Sequence, residues 1–585
     1  MSRSVETRDE GTRLAELARR RGFFFPANQA YGGVAGFYTY GPRGAALKRH
    51  VEDAWRNRFT LEEGNLEIET PTITPEAVLA ASGHLEDFDD MLVDCAACGE
   101  SHRADHLVED ATGMEDAETL PTAEMEALIR EHELACPNCG AALAGEPVSQ
   151  FNLMFETAIG PGDGSRAFLR PETAQGIFVE FPRLKSYARD QLPFGVTQIG
   201  TGYRNEISPR KGLVRVREFT MAELELFFDP ERNHPDLDAV ADVSLPLYPA
   251  ETQANERTEY VDLTVSEAVD EGILSNDWIA YYLGVARQWY ERIGIDLSRL
   301  RFRQHLPGEL AHYSSDCWDA EAEIDGDWIE IAGFAYRTDY DLSKHAEYSD
   351  DDFTVFEQYD EPIAVERATI DPDMSFLGPT FGGTASAIVN ALERLVERDR
   401  AAFDGDLVTV EVDGETYDVP VEKTGYRVET VTESGEHVTP HVVEPSFGVG
   451  RTVYAVLTHA LREDEVDGED RTYLALAPEI APTFVGVFPL MDRDGLGDRA
   501  REIAGTLRTA GFAVTYDDTG NIGRRYRRQD EIGTPYCVTV DYESLEDGTV
   551  TIRERDSTAQ KRTPIETLAS VLSSLRSGER PFDDL

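Results

Sequence analysis

The chain has 585 residues, 41% of them hydrophobic, and carries a formal net charge of -56, from 111 Asp and Glu against 55 Lys and Arg. No stretch approaches the roughly 20 uninterrupted apolar residues of a membrane span, and the N-terminus MSRSVETRDEGTRLAELARR has no apolar signal core, so a cytoplasmic, multi-domain protein with no membrane partner is expected. The acidity is spread through segments with hydrophobic periodicity, which excludes a disordered acidic tail; it reads as adaptation to a salt-rich cytoplasm, where molar salt cuts the screening length to about 3 Å, or else as an ordinary acidic protein.

In chain order, residues 11 to 21 predict a short helix. From 45 to 59, Leu47, Val51, Trp55 and Phe59 keep four-residue spacing and give one apolar helix face. LEIETPTIT then alternates as a strand before Pro75. Residues 95 to 145 form an insertion with an acidic helix, EMEALIREHEL, between two cysteine turns, Cys95-Ala-Ala-Cys98-Gly and Cys136-Pro-Asn-Cys139-Gly. Two such turns can point four thiolates at one tetrahedral zinc; a metal-free pair of hairpins is the alternative. Cys317 and Cys537 read as core residues.

Between 148 and 228 strand patterns dominate, and GVTQIGTGYRNEI and VREFTMAELELFF, joined by a loop with Pro209 and Gly212, predict an antiparallel pair. Residues 275 to 293 are helical, DWIEIAGFAYRTDYDL returns to strand, and 405 to 440 reads as inserted hairpins. HVVEPSFGVGRTVYAVLTHALRED passes from strand to helix. This gives a first domain over 1–462, an acidic linker EDEVDGED over 463–470, and, over 471–585, strands alternating with helices as a separate α/β domain.

Three pieces stand out chemically. YRNEISPRKGLVRVREFTMAELE gathers Arg204, Arg210, Lys211, Arg215 and Arg217 among Glu206, Glu218, Glu223 and Glu225. Arginines beside carboxylates on a rigid sheet suit a triphosphate held next to a cationic group; a ladder of cross-strand ion pairs is the alternative. RPETAQGIF sets Arg170 and Glu172 near a turn. In EPSFGVGR a strand end with Glu444 and Ser446 runs through Gly448 and Gly450 into a helix whose first turn holds Arg451, and a helix N-terminus favours anions; a tight turn with a solvated arginine is the alternative. In HRADHL, His102 and His106 stand four apart, a spacing more often incidental than metal-binding.

Together these pieces resemble the class II aminoacyl-tRNA synthetases: YRNE with SPRKGLVRVREFTMAE resembles motif 2, GVGR motif 3, and the helix at 45–59 with the strand ending at Pro71 the dimer-interface motif 1. RPETAQG is shared by the threonyl, prolyl and glycyl branches, whereas HRADHL, REFTMAELE and EPSFGVGR together resemble the homodimeric glycyl branch. The resemblance implies an α+β catalytic domain on an antiparallel sheet, a C-terminal α/β anticodon-binding domain, and a homodimer. It also implies glycine, ATP with Mg2+ and tRNA(Gly) as the reactants of a two-step transfer through glycyl-adenylate.

By motif match, Arg204 and Arg451 would be the catalytic pair, Arg204 on the α-phosphate and Arg451 over adenine and the γ-phosphate. Glu206 would take the adenine amino group, Phe219 would stack under the base, and either Arg215 or Arg217 would reach the terminal phosphates. Asn205, Val214, Val216, Glu218, Ile331, Gly448, Val449 and Gly450 complete the ATP lining, with Glu330 the magnesium carboxylate. Arg103 would hold glycine's carboxylate, and Glu172, Glu223, Glu444 and Ser446 its ammonium, lined by Phe219, Thr220, Met221, Ala222, Pro445, Phe447 and Gly448. Arg524, Arg525, Arg527 and Arg528 of RRYRRQ would face the tRNA backbone; the alternative is a helix neutralised by its acidic neighbours. Zinc stays open, since members differ in whether the cysteine pairs are present. Rivals are a non-catalytic class II-like nucleic-acid-binding protein and a synthetase for another amino acid.

Overall fold

The computed structural model describes residues 3–585 apart from 115, 116, 118, 119, 163, 208, 210, 211, 256–259, 312, 413 and 467, and their side chains apart from those of 3–10, 87, 360 and 397. Arg210 and Lys211, two of the five clustered cations, lie outside the described residues. No described helix is long and apolar enough to cross a membrane. The chain divides into two compact units, residues 1–353 with 439–585, and residues 354–438.

The larger unit is built on a sheet of nine described strands: β1 (Leu66–Glu67), β2 (Phe194–Tyr203), β3 (Glu218–Phe228), β4 (Ser244–Tyr248), β5 (Val261–Thr264), β6 (Leu300–Gln304), β7 (Asp316–Ile324), β8 (Asp327–Thr338) and β9 (His441–Gly448). Their order across the sheet is β5-β4-β6-β7-β8-β9-β3-β2-β1. All neighbours are antiparallel except β1 with β2 and β4 with β6. The β2–β3 pair is the one its alternation predicts, with Gly202 opposite Phe219 and Tyr203 opposite Glu218.

One face of this sheet is apolar and is covered by helices α1 (Pro42–Trp55), α2 (Asp277–Arg292) and α3 (Val449–Ala460). Asn276 starts α2 by accepting from the N–H groups of Trp278 and Ile279, the cap expected of Asn. Phe447 is the hub of this core: its ring centroid lies 4.8 Å from Phe59, 5.4 Å from Trp289 and 5.7 Å from Phe334. Burying each such side chain contributes about 1.5–3 kcal/mol. Because strand side chains alternate, β3 and β9 turn their intervening residues, Glu223 and Glu444 among them, to the opposite face. The helices make that face's chemistry possible by fixing the strands from behind.

Three expectations are corrected. The stretch 463–470 is not a linker: Leu461–Val466 and Glu469–Leu474 form an antiparallel hairpin, Gly468 turning at φ +80° and Arg471 binding Asp464. DYDL does not continue the preceding strand, because Thr338 takes φ +52° and a helix, Tyr340–Tyr348, follows. The insert expected at 405–440 is the end of a larger unit that begins at Thr354. There the long strand Val355–Thr369 pairs with Arg427–Val438, and Leu377, Ile388, Leu392, Phe403, Val408 and Val419 form a core of their own.

The cysteine-bearing insertion has a small sheet, ordered Ser101–Arg103, Asp89–Asp94, Val148–Asn152, and two helices, Ala104–Thr112 and Thr122–Glu131. The C-terminal segment forms a mixed five-stranded sheet in the order Val514–Tyr516, Val485–Pro489, Tyr536–Val540, Thr549–Glu554, Gln560–Pro564. It docks on the rest through Arg21 with Glu531 and through a two-point bond from Arg292 to Glu479, 2.7 and 2.8 Å.

Candidate active site

Arg204, Glu206, Val214, Arg215, Val216, Phe219, Thr220, Met221, Glu330, Gly448, Gly450 and Arg451 line one cleft above the ends of β2, β3 and β9. Gly202 lets Phe219 lie flat on its neighbour strand, since a Cβ there would meet the ring at 2.8 Å. The Arg204 guanidinium sits over two rings, 5.4 Å from the centroid of Phe219 and 5.3 Å from that of Phe88. Across the cleft Arg451, in the first turn of α3, donates to the Glu330 carboxylate at 2.8 Å and to the Val214 carbonyl at 3.1 Å. The adjacent Arg451 cation holds the Glu330 carboxyl below the usual carboxylate range against the opposing effect of burial.

The two loop arginines left open by the sequence differ in what they bind. Arg217 donates to the Glu206 carbonyl at 3.1 and 2.7 Å and to the Ala35 carbonyl at 2.9 Å, so it ties backbone together. Arg215 donates to the Glu206 carboxylate at 2.6 Å inside the cleft. Asn205 is fixed through its backbone, donating to the Leu153 carbonyl at 2.6 Å, while Glu218 is exposed at the strand end. Ile331, Val449, Ala222 and Phe447 are buried in the apolar core, and Pro445 shares the Phe447 side of β9 by alternation. These five support the site from behind rather than line it.

Next to the cationic cleft lies a floor of buried acids. Glu223 receives the Thr173 N–H at 2.7 Å, the Thr173 hydroxyl, and the Ser446 hydroxyl at 2.9 Å. Burial, then the charge of Glu172, pushes its carboxyl up. Glu172 receives Gln175 at 3.2 Å and has His84 at 3.4 Å; burial opposes its charge, but His84 and Arg337 outweigh burial and hold it well below the usual range. Glu444 accepts from Arg337 at 2.7 Å, yet burial, with Glu223 and Glu172 nearby, pushes it up to about 8. Glu225 is fully buried, neither oxygen has a hydrogen-bond partner among the described residues, and burial and Glu444 drive its carboxyl far up. Guanidinia and buried carboxylates thus stand close together around one end of the sheet.

Comparison with known proteins fits this arrangement. Residues 160–247 match the family described as tRNA synthetase class II core domain (G, H, P, S and T), and residues 485–575 match the anticodon binding domain. The chain is 48% identical to the glycine–tRNA ligase of Methanothrix thermoacetophila, over 98% of this chain and 99% of that protein. It is 47% identical to that of Methanothermobacter thermautotrophicus, over 96% and 99%, and 44% to that of Methanocaldococcus jannaschii, over 96% and 98%. The chain belongs to the glycine–tRNA ligase family. The α+β class II core and the C-terminal anticodon-binding domain expected from the sequence are both present. A solved structure, Giardia lamblia prolyl-tRNA synthetase in complex with prolyl-adenylate, has the same fold at a TM-score of 0.53 and 14% identity, covering 96% of this chain and 75% of that one.

Several residues of this member of the glycine–tRNA ligase family carry no sequence signal that singled them out. Arg337 is 1% exposed, forms a two-point bond with Asp341 at 2.7 and 3.0 Å, and lies 3.7 Å from the Tyr313 ring centroid. It is the counter-cation of the acid floor. Asp90 meets Arg215, and His84 meets Glu172, across long separations in sequence. Arg170 proves structural, clamping the Thr70 and Thr201 carbonyls at 3.0 and 2.8 Å. Arg103, expected at glycine's carboxylate, donates to Asp90 and to Asp105, each at 2.9 Å.

The four cysteines converge. Their Sγ atoms all lie within 4.8 Å of one another, with Cys95 and Cys139 at 3.6 Å and Cys98 and Cys136 at 3.7 Å. Each turn closes the same way, Gly99 and Gly140 at φ +76° and +74° donating back to Cys95 and Cys136 at 2.8 Å. Tetrahedral coordination with Zn–S of about 2.3 Å puts sulfurs about 3.8 Å apart, so the donor set fits such an ion. The His102–His106 pair does not form a second cluster: His102 lies 3.2 Å from Cys136 Sγ, His106 3.4 Å from Arg215.

RRYRRQ is not the patch it resembles. Arg525 is 2% exposed and donates to the Pro489, Asp518 and Gly520 carbonyls. Arg528 binds Asp517 at 2.8 Å, and Arg527 the Asp470 carbonyl at 3.0 Å. Arg524 is exposed. The helix Ile522–Asp530 has one buried face, Arg525 and Gln529, and four arginines in five positions cannot all avoid it.

Proposed function

We propose that the protein attaches glycine to tRNA(Gly) in two steps. Glycine's carboxylate attacks the α-phosphorus of ATP, the bond to the β-phosphate oxygen breaks and pyrophosphate leaves. The terminal ribose hydroxyl of tRNA then attacks the glycyl carbonyl, and AMP leaves. The attacking carboxylate is already ionised, so no side-chain nucleophile is needed and catalysis rests on positioning and charge stabilisation. The observation that carries this reading is the adjacency of the Arg204–Arg451 cleft to the Glu172–Glu223–Glu444 floor.

Arg204 is assigned to the α-phosphate, Phe219 and Arg451 to the faces of adenine, and Glu206 to its amino group. Of the two loop arginines, Arg215 is the better candidate for the terminal phosphates, because it lines the cleft while Arg217 is committed to carbonyls. Magnesium, bound with ATP at Glu330, would spread charge over the phosphates. Glu172, Glu223, Glu444 and Ser446 are assigned to the glycine ammonium, and Arg103 to its carboxylate. Glycine has no side chain, so a pocket built to its size excludes larger amino acids sterically and no editing is required.

The four cysteines are assigned a closed, structural zinc, supported by their spacing. Arg524 is the arginine of its helix best placed for RNA. A cytoplasmic homodimer joined through the motif 1 region completes the proposal, and light scattering in molar potassium chloride tests the dimer. The decisive experiment is pyrophosphate exchange into ATP: glycine supports it, and alanine, serine, threonine and proline do not. A folded, metal-replete sample without glycine-dependent exchange would sink the assignment.

A further inference from the structure

Asp90 is given no role of its own in the assignment above, yet it joins two distant parts of the chain. It is the second residue of the strand Asp89–Asp94, at the base of the cysteine-bearing insertion, and is 9% exposed. Its Oδ1 accepts from Arg103 at 2.9 Å. Its Oδ2 is buried, has no hydrogen-bond partner among the described residues, and stands 3.8 Å from Arg215 Nη2. Arg215 meanwhile holds Glu206 at 2.6 Å. One cleft guanidinium therefore lies between two carboxylates, Glu206 in hydrogen-bond contact and Asp90 just beyond it.

The same strand system leads back to the cysteines. Arg103 and His102 are neighbours on the strand Ser101–Arg103, so they face opposite ways: Arg103 reaches Asp90, and His102 lies 3.2 Å from Cys136 Sγ. The strand Val148–Asn152 runs into Leu153, whose carbonyl holds the Asn205 N–H at 2.6 Å. The insertion's core is small, made of Val93, Val108, Met125, Ile129 and a few others around Cys95 and Cys136. Cores of that size rarely hold a fold without a metal or a covalent staple.

We propose that Asp90 is a positioning residue for ATP: it is the second anchor of Arg215, taking that guanidinium when adenine claims Glu206, and the four-cysteine cluster keeps Asp90 in place by holding the insertion's strands. The proposal rests on the reading of the cleft as an ATP site. Its physical basis is that a buried carboxylate oxygen without a donor is costly and that Arg215, already at the cleft, stands 3.8 Å from it. An arginine confined between two acceptors loses less rotamer freedom on meeting a phosphate than one free in solvent.

The test uses the full chain in molar potassium chloride, with ATP affinity measured by calorimetry and ATP KM and kcat by glycine-dependent exchange. Asp90→Asn should weaken ATP binding and raise its KM about tenfold while kcat stays within about twofold, and Asp90→Glu should recover most of the loss. Cys98→Ser, at an exposed ligand position, should lose metal by elemental analysis, raise the ATP KM in the same direction, and speed hydrogen exchange over residues 203–219. Wild-type ATP affinity in Asp90→Asn, or a fall in kcat with KM unchanged, overturns the role of Asp90. Unchanged exchange over 203–219 in metal-free protein overturns the link to the cysteines. Calorimetry judges Asp90 even if glycine-dependent exchange is absent, an outcome that would count against the assigned reaction instead.

Discussion

Two segments of this acidic chain are dense in arginine, 203–217 and 524–528, and the structure uses them in opposite ways. Between β2 and β3, Arg204 and Arg215 stand with Arg451 of α3 around a cleft with carboxylates beside them. On the C-terminal helix, Arg525 is turned into the protein and caps three carbonyls, while Arg527 and Arg528 lean on Asp470 and Asp517. Charge density along a sequence therefore says little until the period of the element is applied to it. The connection between β2 and β3 is under no such period; a helix of nine residues with a buried side must bury some of what it carries.

The comparison is broken most directly by removing one arginine from each segment. Arg204→Ala should cut glycine-dependent pyrophosphate exchange by at least 10² to 10³, the loss typical of a donor to transition-state charge, with the urea midpoint little changed. Arg525→Ala should behave the other way round, costing about 3 kcal/mol of stability by stranding buried carbonyls, seen as a lower urea midpoint, with exchange normal in the folded fraction. If Arg525→Ala left stability intact and weakened tRNA binding instead, the distinction between the segments would fail.

The acid floor supplies a middle-sized effect. Glu444, held up to about 8 by burial, should become a better ammonium partner as its proton leaves, so glycine's KM should fall several-fold from pH 7 to 9 while the ATP KM stays level. Glu444→Gln should flatten that profile. For stability the sign is the reverse: the folded state keeps a proton that the unfolded chain has released above a pKa of about 4.3, so this group weakens the fold as pH rises between those values. The smallest effect belongs to Arg524→Ala, which should lower tRNA affinity only a few-fold and reduce its salt slope by about one, measured by filter binding across potassium chloride concentrations.

Much of this was readable in advance where periodicity is local. The β2–β3 pair, the helix over 277–292 and the alternating C-terminal elements follow from spacing of apolar residues within a few turns. The unit beginning at Thr354 does not, because Val355–Thr369 finds its partner only at Arg427–Val438, and no local window reports a pairing across so long a loop. The hairpin at 461–474 was legible, since Asp467-Gly468 between strand-forming runs is a strong turn signal; the flanking acids obscured it. Among site residues, Glu223 and Ser446 lie within motifs, whereas Arg337, His84 and Asp90 matter through contacts across the chain and have no pattern of their own. Ala222 and Phe447 show the reverse: a contiguous motif includes them, although its strand presents only every second residue to one face and turns these two to the core.

Glu223 has a consequence for amine chemistry. Its two oxygens are already engaged by Thr173 and Ser446 before any amino acid arrives, so the carboxylate cannot pivot to follow a misplaced partner. A primary ammonium brings three hydrogens in a fixed tetrahedral fan, and under the proposed assignment the floor would meet them with acceptors anchored on different segments, Glu172, Glu223 and Glu444. Methylation of that nitrogen deletes one donor and inserts a carbon where a charge-assisted bond belongs. An immobile floor of this kind turns hydrogen counting into selectivity, and sarcosine should be refused for its nitrogen as firmly as alanine is for its side chain.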